Sequence, residues 1–384
     1  MNELNLVIEG AVQRNDVPFM VATVGNRDGV LWTGAAGDAS PGNPAAADTV
    51  FRIFSMTKAV GSTAAMILMD RGQLSPDATV ETILPEFAEL KLLEAMGPDG
   101  PVLRTPKNKA TVRHLATHTS GLVYEFWNDT VAKYLEATQS PPILSGLKQG
   151  LNYPLQFEPG TQWDYGIGID WLGRVVEKVD GRPVDQFCRE EIFQPLGMRD
   201  TAFEPDPALG GRLAGVKLRG EDGNFVDFPI APPPKPEFYG MGHSLYSTAP
   251  DYLRFLRMYL NGGQLDGQRI LRQETLDALL QNQIGAVQIP VLKSANAAVT
   301  ADVELFPGLK KSHSMAFMRV DEDVPGGRRA GAQTWAGVLN THYWWDPQAN
   351  VAAVLMTQTL PFAEPRFMRV YGEFEAAVYR QLGG

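Results

Sequence analysis

The chain has 384 residues, 44% of them hydrophobic and 20% charged, with a net charge of −10 and a pI near 5.1. With no basic block to neutralise phosphates, the composition argues against nucleic-acid binding, and no run of about 18 apolar residues is present that could span a membrane. The single cysteine, Cys188, cannot close an internal disulfide and is expected to act as a small buried hydrophobe.

The first residues lack the basic and apolar regions of a secretory signal, so a cytoplasmic location is expected. Leu4, Ile8, Ala11 and Val12 instead mark one face of an amphipathic helix. Alternating apolar runs at 19–24 and 30–35, joined by Asn26-Arg27-Asp28-Gly29, predict a hairpin. Residues 50–54 read as a short buried strand. From Met56 the apolar residues recur at Val60, Ala64, Ile67 and Leu68 in a helical period, and Gly72 ends that helix.

Ser55 therefore stands where a strand meets a helix N-terminus. Its backbone N–H has no intrahelical partner there and can face an oxyanion. Lys58 lies one turn further on the same face. A serine hydroxyl becomes a nucleophile when a neighbour takes its proton, and Lys58 is placed to do so. Ser145-Gly146-Leu147-Lys148 repeats the spacing, but among Pro141, Pro142, Gly146, Gly150 and Pro154 it reads as broken surface loop.

Between residues 74 and 247 helical patches alternate with turn-rich loops. Residues 111–116, 171–176 and 184–192 are the helical ones, and 232–236 is a stiff proline-rich loop. Thr248-Ala249-Pro250-Asp251 resembles a capping box opening a helix that stops at Gly262-Gly263. Residues 334–339, 341–345 and 351–358 are strand-like, and a closing helix carries Phe367, Val370, Tyr371, Phe374, Ala377 and Val378 on one face. The implied fold is α/β (α+β): an antiparallel sheet flanked by N- and C-terminal helices. It is built from 1–73 and 248–384 with a mainly helical domain at 74–247 inserted. The active-site cleft would lie between the two domains.

Three further segments bear on chemistry. Residues 157–168 place Tyr165 in a glycine-flanked loop, where a phenol can shuttle a proton. Residues 331–338 run into a strand whose backbone N–H groups can complete an oxyanion hole. Residues 111–122 form a distinctive spacer. With these, the chain resembles the serine β-lactamase-like superfamily, most of all the class C β-lactamase and D-Ala-D-Ala peptidase branch and, within it, family VIII carboxylesterases. The resemblance covers residues 4–382 and is sharpest at 51–72, 111–122 and 157–165.

What the resemblance implies is a nucleophilic Ser55, with Lys58 and Tyr165 handling its proton. Trp335-Ala336-Gly337 then corresponds to the third family motif, Lys-Thr-Gly in lactamases and often Trp-x-Gly in the esterases. The oxyanion hole would be the backbone N–H groups of Ser55 and Val338. Two departures matter. Tyr165-Gly166-Ile167 replaces Tyr-x-Asn, so Ile167 cannot bond a substrate amide, and Trp335 replaces the lysine that meets a lactam carboxylate. The expectation is a serine hydrolase of the carboxylesterase type cleaving short-chain, uncharged acyl esters through an acyl-Ser55 intermediate, with no cofactor and no metal. Trp335, Gly337, Ile167, Tyr124, Phe126, Trp127 and Tyr239 are the expected substrate-binding residues, and Tyr153 and Trp344 are further aromatic candidates. The alternatives are a β-lactamase, D-amino-acid or DD-peptidase or acyltransferase on the same fold, and a catalytically silent binding protein.

Two other patterns are set aside. His114 and His118 are spaced like zinc ligands, but Leu115 stands where the metalloprotease pattern needs glutamate. Gly242-His243-Ser244-Leu245-Tyr246 lacks the last glycine of a nucleophile elbow and reads as a turn.

Overall fold

Strands from the two ends of the chain share one antiparallel sheet. The computed structural model describes residues 2–230 and 235–382, so 232–234 of the proline-rich loop lie outside the described residues. The first strands are β1 (Phe19–Gly25), β2 (Val30–Ser40) and β3 (Asn43–Pro44). The later ones are β4 (Lys311–His313), β5 (Met318–Val320), β6 (Gln333–Gly337), β7 (Thr341–Asp346) and β8 (Val351–Met356). Their order across the sheet is β4-β5-β6-β7-β8-β1-β2-β3. The ends of the chain meet where Val21 pairs with Met356 and Gly25 with Ala352.

Alternation along the central strands sends their side chains into two different cores. Met20, Ala22, Val24, Val351, Ala353 and Leu355 pack with α1 (Asn2–Gln13) and the closing helix, Pro365–Gln381. Phe19, Val21, Ala352, Val354 and Met356 enter the larger core on the opposite face. That core holds α2 (Thr57–Asp70), α3 (Gly168–Asp180) and α4 (Ala249–Leu260); the closing helix is α5. Both faces of the sheet are covered, which is why β7 and β8 are buried at every position. Every residue of α2 from Thr57 to Leu68 is buried. Its alanines, glycine and hydroxyl residues let α3 approach closely, where a Cβ on Gly61 would lie 3.2 Å from Ile169, and Thr63 bonds the Tyr259 hydroxyl of α4 at 2.6 Å.

Behind the sheet, Arg328 is fully buried. It donates to Glu375 Oε1 at 2.9 Å, to Glu375 Oε2 at 2.7 Å and to the Tyr371 hydroxyl at 2.7 Å. Trp344 lies in this same layer, 4.9 Å from the Arg328 guanidinium and edge-on to Tyr371 and Phe374. It is a core residue on the far face of the sheet, away from the aromatic pocket expected for it.

The segment between α2 and α4 adds short strands to its helices. It holds the hairpins Leu92–Gly97 with Gly100–Arg104 and Lys217–Arg219 with Phe225–Asp227. These strands are short and mix half-buried with exposed positions in no regular order, so they carry little of the alternation that marks a strand with one buried face. Thr248 caps α4, accepting from Asp251 N at 3.3 Å. Asp251 does not close the box: its carboxylate accepts from Asp200 N at 2.7 Å and from the Thr201 hydroxyl at 3.0 Å. Among the described residues no helix is long and apolar enough to cross a membrane.

Candidate active site

Ser55 occupies a single 3-10 turn, Phe54–Met56, that leads directly into α2. The strand expected over 50–54 is cut to Phe51–Arg52, paired with Tyr246–Ser247. Phe54 ends it by taking a φ of 40°, a left-handed conformation that costs a bulky residue about 1–2 kcal/mol. Ile53 N donates to Leu245 O at 3.1 Å and Met56 N to Ile53 O at 3.0 Å, which hold the turn in place. The result is a serine that is only 9% exposed and faces the end of β6.

That approach depends on Gly337. A Cβ there would lie 2.3 Å from the Ile53 carbonyl oxygen and 2.4 Å from Thr341 Oγ1. Only glycine lets β6 dock on the backbone just before Ser55. Val338 follows and lines the same cavity as Ser55, whereas Gly337 itself is turned to Ile53.

Lys58 is 2% exposed. Its Nζ lies 3.2 Å from Ser55 Oγ, 2.9 Å from the Tyr124 hydroxyl and 2.8 Å from Gly242 O. All three are neutral oxygens. Burial pushes the Lys58 ammonium down to about 7, with the Asp170 carboxylate acting in the opposite sense. The rings of Tyr165 and Tyr124 stand 4.7 and 4.9 Å from Nζ. Tyr124, expected to line a substrate pocket, is thus a direct partner of the lysine. Its position just after Ser120-Gly121-Leu122-Val123 is the signal that could have tied it to the motif.

The Tyr165 hydroxyl hydrogen-bonds Ser55 and accepts from Trp335 Nε1 at 3.2 Å. Burial lifts this phenol above its ordinary range, against the bonds from Ser55 and Trp335. The Tyr165 loop is sewn to residues 111–122 by backbone bonds: Gly160 N to Thr119 O at 2.8 Å, Asp164 N to His118 O at 3.0 Å and Gln156 N to Gly121 O at 2.8 Å. Tyr124 N closes the stitch on Tyr165 O at 3.1 Å. The distinctive spacer is the frame that holds Tyr165 in place.

The two motif histidines divide between capping and packing. His114 accepts from Thr111 N at 3.2 Å and caps its own short helix. His118 is buried, its ring 4.9 Å from Tyr165, 6.2 Å from Trp335 and 5.3 Å from His313. Burial, then the neighbouring His313 and Lys58, holds His118 well below the ordinary histidine range, and burial takes His313 down to about 4. Together they form a neutral wall behind Tyr165. Among the described residues no group of three ligating side chains could hold a metal ion.

Ser55, Tyr165, Trp335, Phe126, Trp127 and Phe362 line an apolar cavity of about 30 Å³. Beyond Phe54 a second cavity, about 380 Å³, is bordered by Arg52, Tyr239, His243 and Ser244. Tyr239 belongs to this second space and donates to Glu204 at 2.8 Å. Ile167 is fully buried just before α3 and lines neither cavity. Tyr153 is buried and donates to Glu125 at 2.9 Å. The second Ser-x-x-Lys is not assembled: Ser145 Oγ accepts from Leu147 N at 3.3 Å, and Lys148 is exposed.

The arrangement offers a buried hydroxyl touched by an amine near neutrality and by a protonated phenol, which is the equipment of acyl transfer. The family model described as Beta-lactamase matches residues 4–378. A lovastatin esterase of Penicillium rubens is 30% identical over 356 residues, covering 88% of this chain and 87% of the relative. The monacolin J acid methylbutanoyltransferase of Aspergillus terreus is 29% identical over 354 residues, covering 88% and 84%. The solved structure of simvastatin synthase (LovD) from Aspergillus terreus, in its LovD6 mutant form, is similar with a TM-score of 0.84 at 27% identity. It covers 99% of this chain and 94% of that one.

Proposed function

The chain belongs to the Beta-lactamase family, and we propose that within it this protein is a carboxylesterase cleaving short-chain acyl esters through an acyl-Ser55 intermediate. The observation that carries the reading is Ser55 in contact with both Lys58 and Tyr165 at the wall of an apolar cavity. Lys58, brought to about 7, is the group that can be neutral at working pH, whereas burial keeps Tyr165 protonated. Lys58 therefore takes the Ser55 proton as the hydroxyl attacks the ester carbonyl. The oxyanion forms against the backbone N–H groups of Ser55 and Val338. Tyr165, oriented by Trp335 Nε1, gives its proton to the departing alcohol and regains one from Lys58. Water then cleaves the acyl-Ser55 by the same relay.

Substrate class follows from the walls. The cavity beside Ser55 is closed in by Phe126, Trp127, Trp335 and Phe362, which favours a small, uncharged acyl group. Trp335 presents a ring where a lactam carboxylate would need a cation. Because Ile167 is turned away from the cavity, the case against lactams rests on Trp335 alone. A cytoplasmic setting is part of the same proposal. The names of the relatives favour a second reading, in which an alcohol rather than water takes the acyl group.

The test is a p-nitrophenyl ester series of rising chain length, with nitrocefin as the lactam control and an added alcohol to score transfer. Ser55→Ala is expected to lower ester kcat by about three orders of magnitude, with Ser145→Ala and Ser244→Ala near wild type. Nitrocefin turned over as fast as a butyrate ester would overturn the substrate class. An acyl adduct recovered on Ser244 would overturn the nucleophile.

A further inference from the structure

Asp170 lies in the first turn of α3, with no exposed surface. Its Oδ1 accepts from Gly242 N at 2.9 Å, and the carbonyl of the same Gly242 accepts from Lys58 Nζ at 2.8 Å. One backbone residue thus joins the carboxylate to the catalytic amine. The socket is shaped for the carboxylate: a Cβ on Gly240 would lie 2.5 Å from Oδ1, and one on Gly242 would lie 2.4 Å from Oδ2. Among the described residues Oδ2 has no hydrogen-bond partner, and the nearest cationic candidate is His243, whose Nδ1 lies 3.2 Å from Oδ1. A buried carboxylate left this poorly paired is costly to stability, and it stands one residue away from the proton carrier.

We infer that Asp170 is a positioning residue for the reaction at Ser55, fixing Lys58 through the Gly242 backbone and acting on it with its own charge. The inference rests on the assignment of Lys58 in the proposed function. Asp170 does not touch the reacting atoms. Its bond from Gly242 N holds the peptide before Gly242, and His243 N, on the same peptide as the Gly242 carbonyl, donates to Gly240 O at 3.2 Å, so the two bonds together set where that carbonyl points. That carbonyl makes the shortest of the three contacts that hold Nζ beneath Ser55. Its charge reaches Lys58, Tyr124, Tyr153 and Tyr165. The other titratable groups around this floor are His118, which faces Lys58, and Glu125, which faces His243 and Tyr153. The negative charge favours the protonated amine, so its removal moves the Lys58 titration to lower pH.

The experiment follows the rate of Ser55 labelling by a fluorophosphonate probe against pH, with a thermal melt for every variant. Asp170→Asn keeps an acceptor for Gly242 N–H and loses the charge. Its plateau rate is expected within about threefold of wild type, with the limb near pH 7 moved down by roughly one pH unit. Asp170→Ala loses the acceptor too and is expected to lower the plateau about tenfold or more. A limb unmoved in Asp170→Asn overturns the inference, whatever happens to the melt, because a purely structural residue changes stability without moving the limb. If Asp170→Asn does not fold, Gly242→Ala, whose methyl displaces the carboxylate, must move the same limb, and an unmoved limb again overturns it. A wild-type enzyme that is not labelled on Ser55 refutes the esterase reading instead.

Discussion

Two buried cations sit on opposite sides of the sheet, and the protein treats them differently. Arg328, behind it, meets both oxygens of Glu375 and the Tyr371 hydroxyl. Burial works against its charge, but Glu375 and Tyr371 outweigh burial and hold the guanidinium above its ordinary value. Lys58, in front, donates to a serine, a tyrosine and a backbone carbonyl, all neutral, with its carboxylate set back beyond Gly242. Burial wins there, and the amine comes to about 7. Direct pairing makes a cation permanent and structural. Pairing at one remove leaves it able to gain and lose a proton where the chemistry requires it.

The comparison can be broken by substituting both cations with methionine. Arg328→Met leaves Glu375 buried and unpaired, and is expected to cost about 3–5 kcal/mol of stability, read by urea unfolding, while kcat per folded molecule holds. Lys58→Met is expected to do the reverse: kcat falls by about a hundredfold or more, with unfolding unchanged or shifted towards stability, since a charge with no contacting carboxylate is removed. If both variants lost stability equally and kept activity, the distinction would be wrong. The smallest effect sharpens it. The folded Lys58 titrates near 7 and the unfolded one near 10.4, so between those values the unfolded chain holds the extra proton. Wild-type stability should then rise with pH across that window, by at most about 1.4 kcal/mol per pH unit from this group. Lys58→Met should lack that rise, and Arg328→Met should keep it.

How much of this could be read in the sequence depends on the range of each signal. The first and last helices and the hairpin at β1–β2 carry clear periods, strands β6 to β8 stand out as apolar and aromatic runs, and all form within a few residues of the expected bounds. Ser55, Lys58, Tyr165 and Trp335 come together as the family resemblance implied. Strands β4 and β5 have three residues each, too short for any alternation to show. The turn at Phe54 is imposed by docking to Leu245, far along the chain, and nothing local announces it. Trp344 looked like the other aromatics because composition does not say which face of the sheet a residue takes. Asp170 did leave a trace, a lone acid amid Ile169, Trp171 and Leu172. Its meaning required Gly242, which the sequence shows only as the start of a turn that fails as a nucleophile elbow.

The contact between Gly337 and Ile53 also has a consequence for how activity is acquired during folding. It joins an early segment to a late strand, so closing it requires ordering most of the intervening chain, and such non-local pairings form slowly. A refolding chain can build α2, with Ser55 and Lys58 one turn apart, well before β6 arrives. Until then Ser55 lacks the second oxyanion donor of the proposed mechanism, and Tyr165 has no tryptophan to orient it. Recovery of catalysis on refolding should therefore lag behind recovery of helix signal, and the lag measures the docking of the last strands of the sheet.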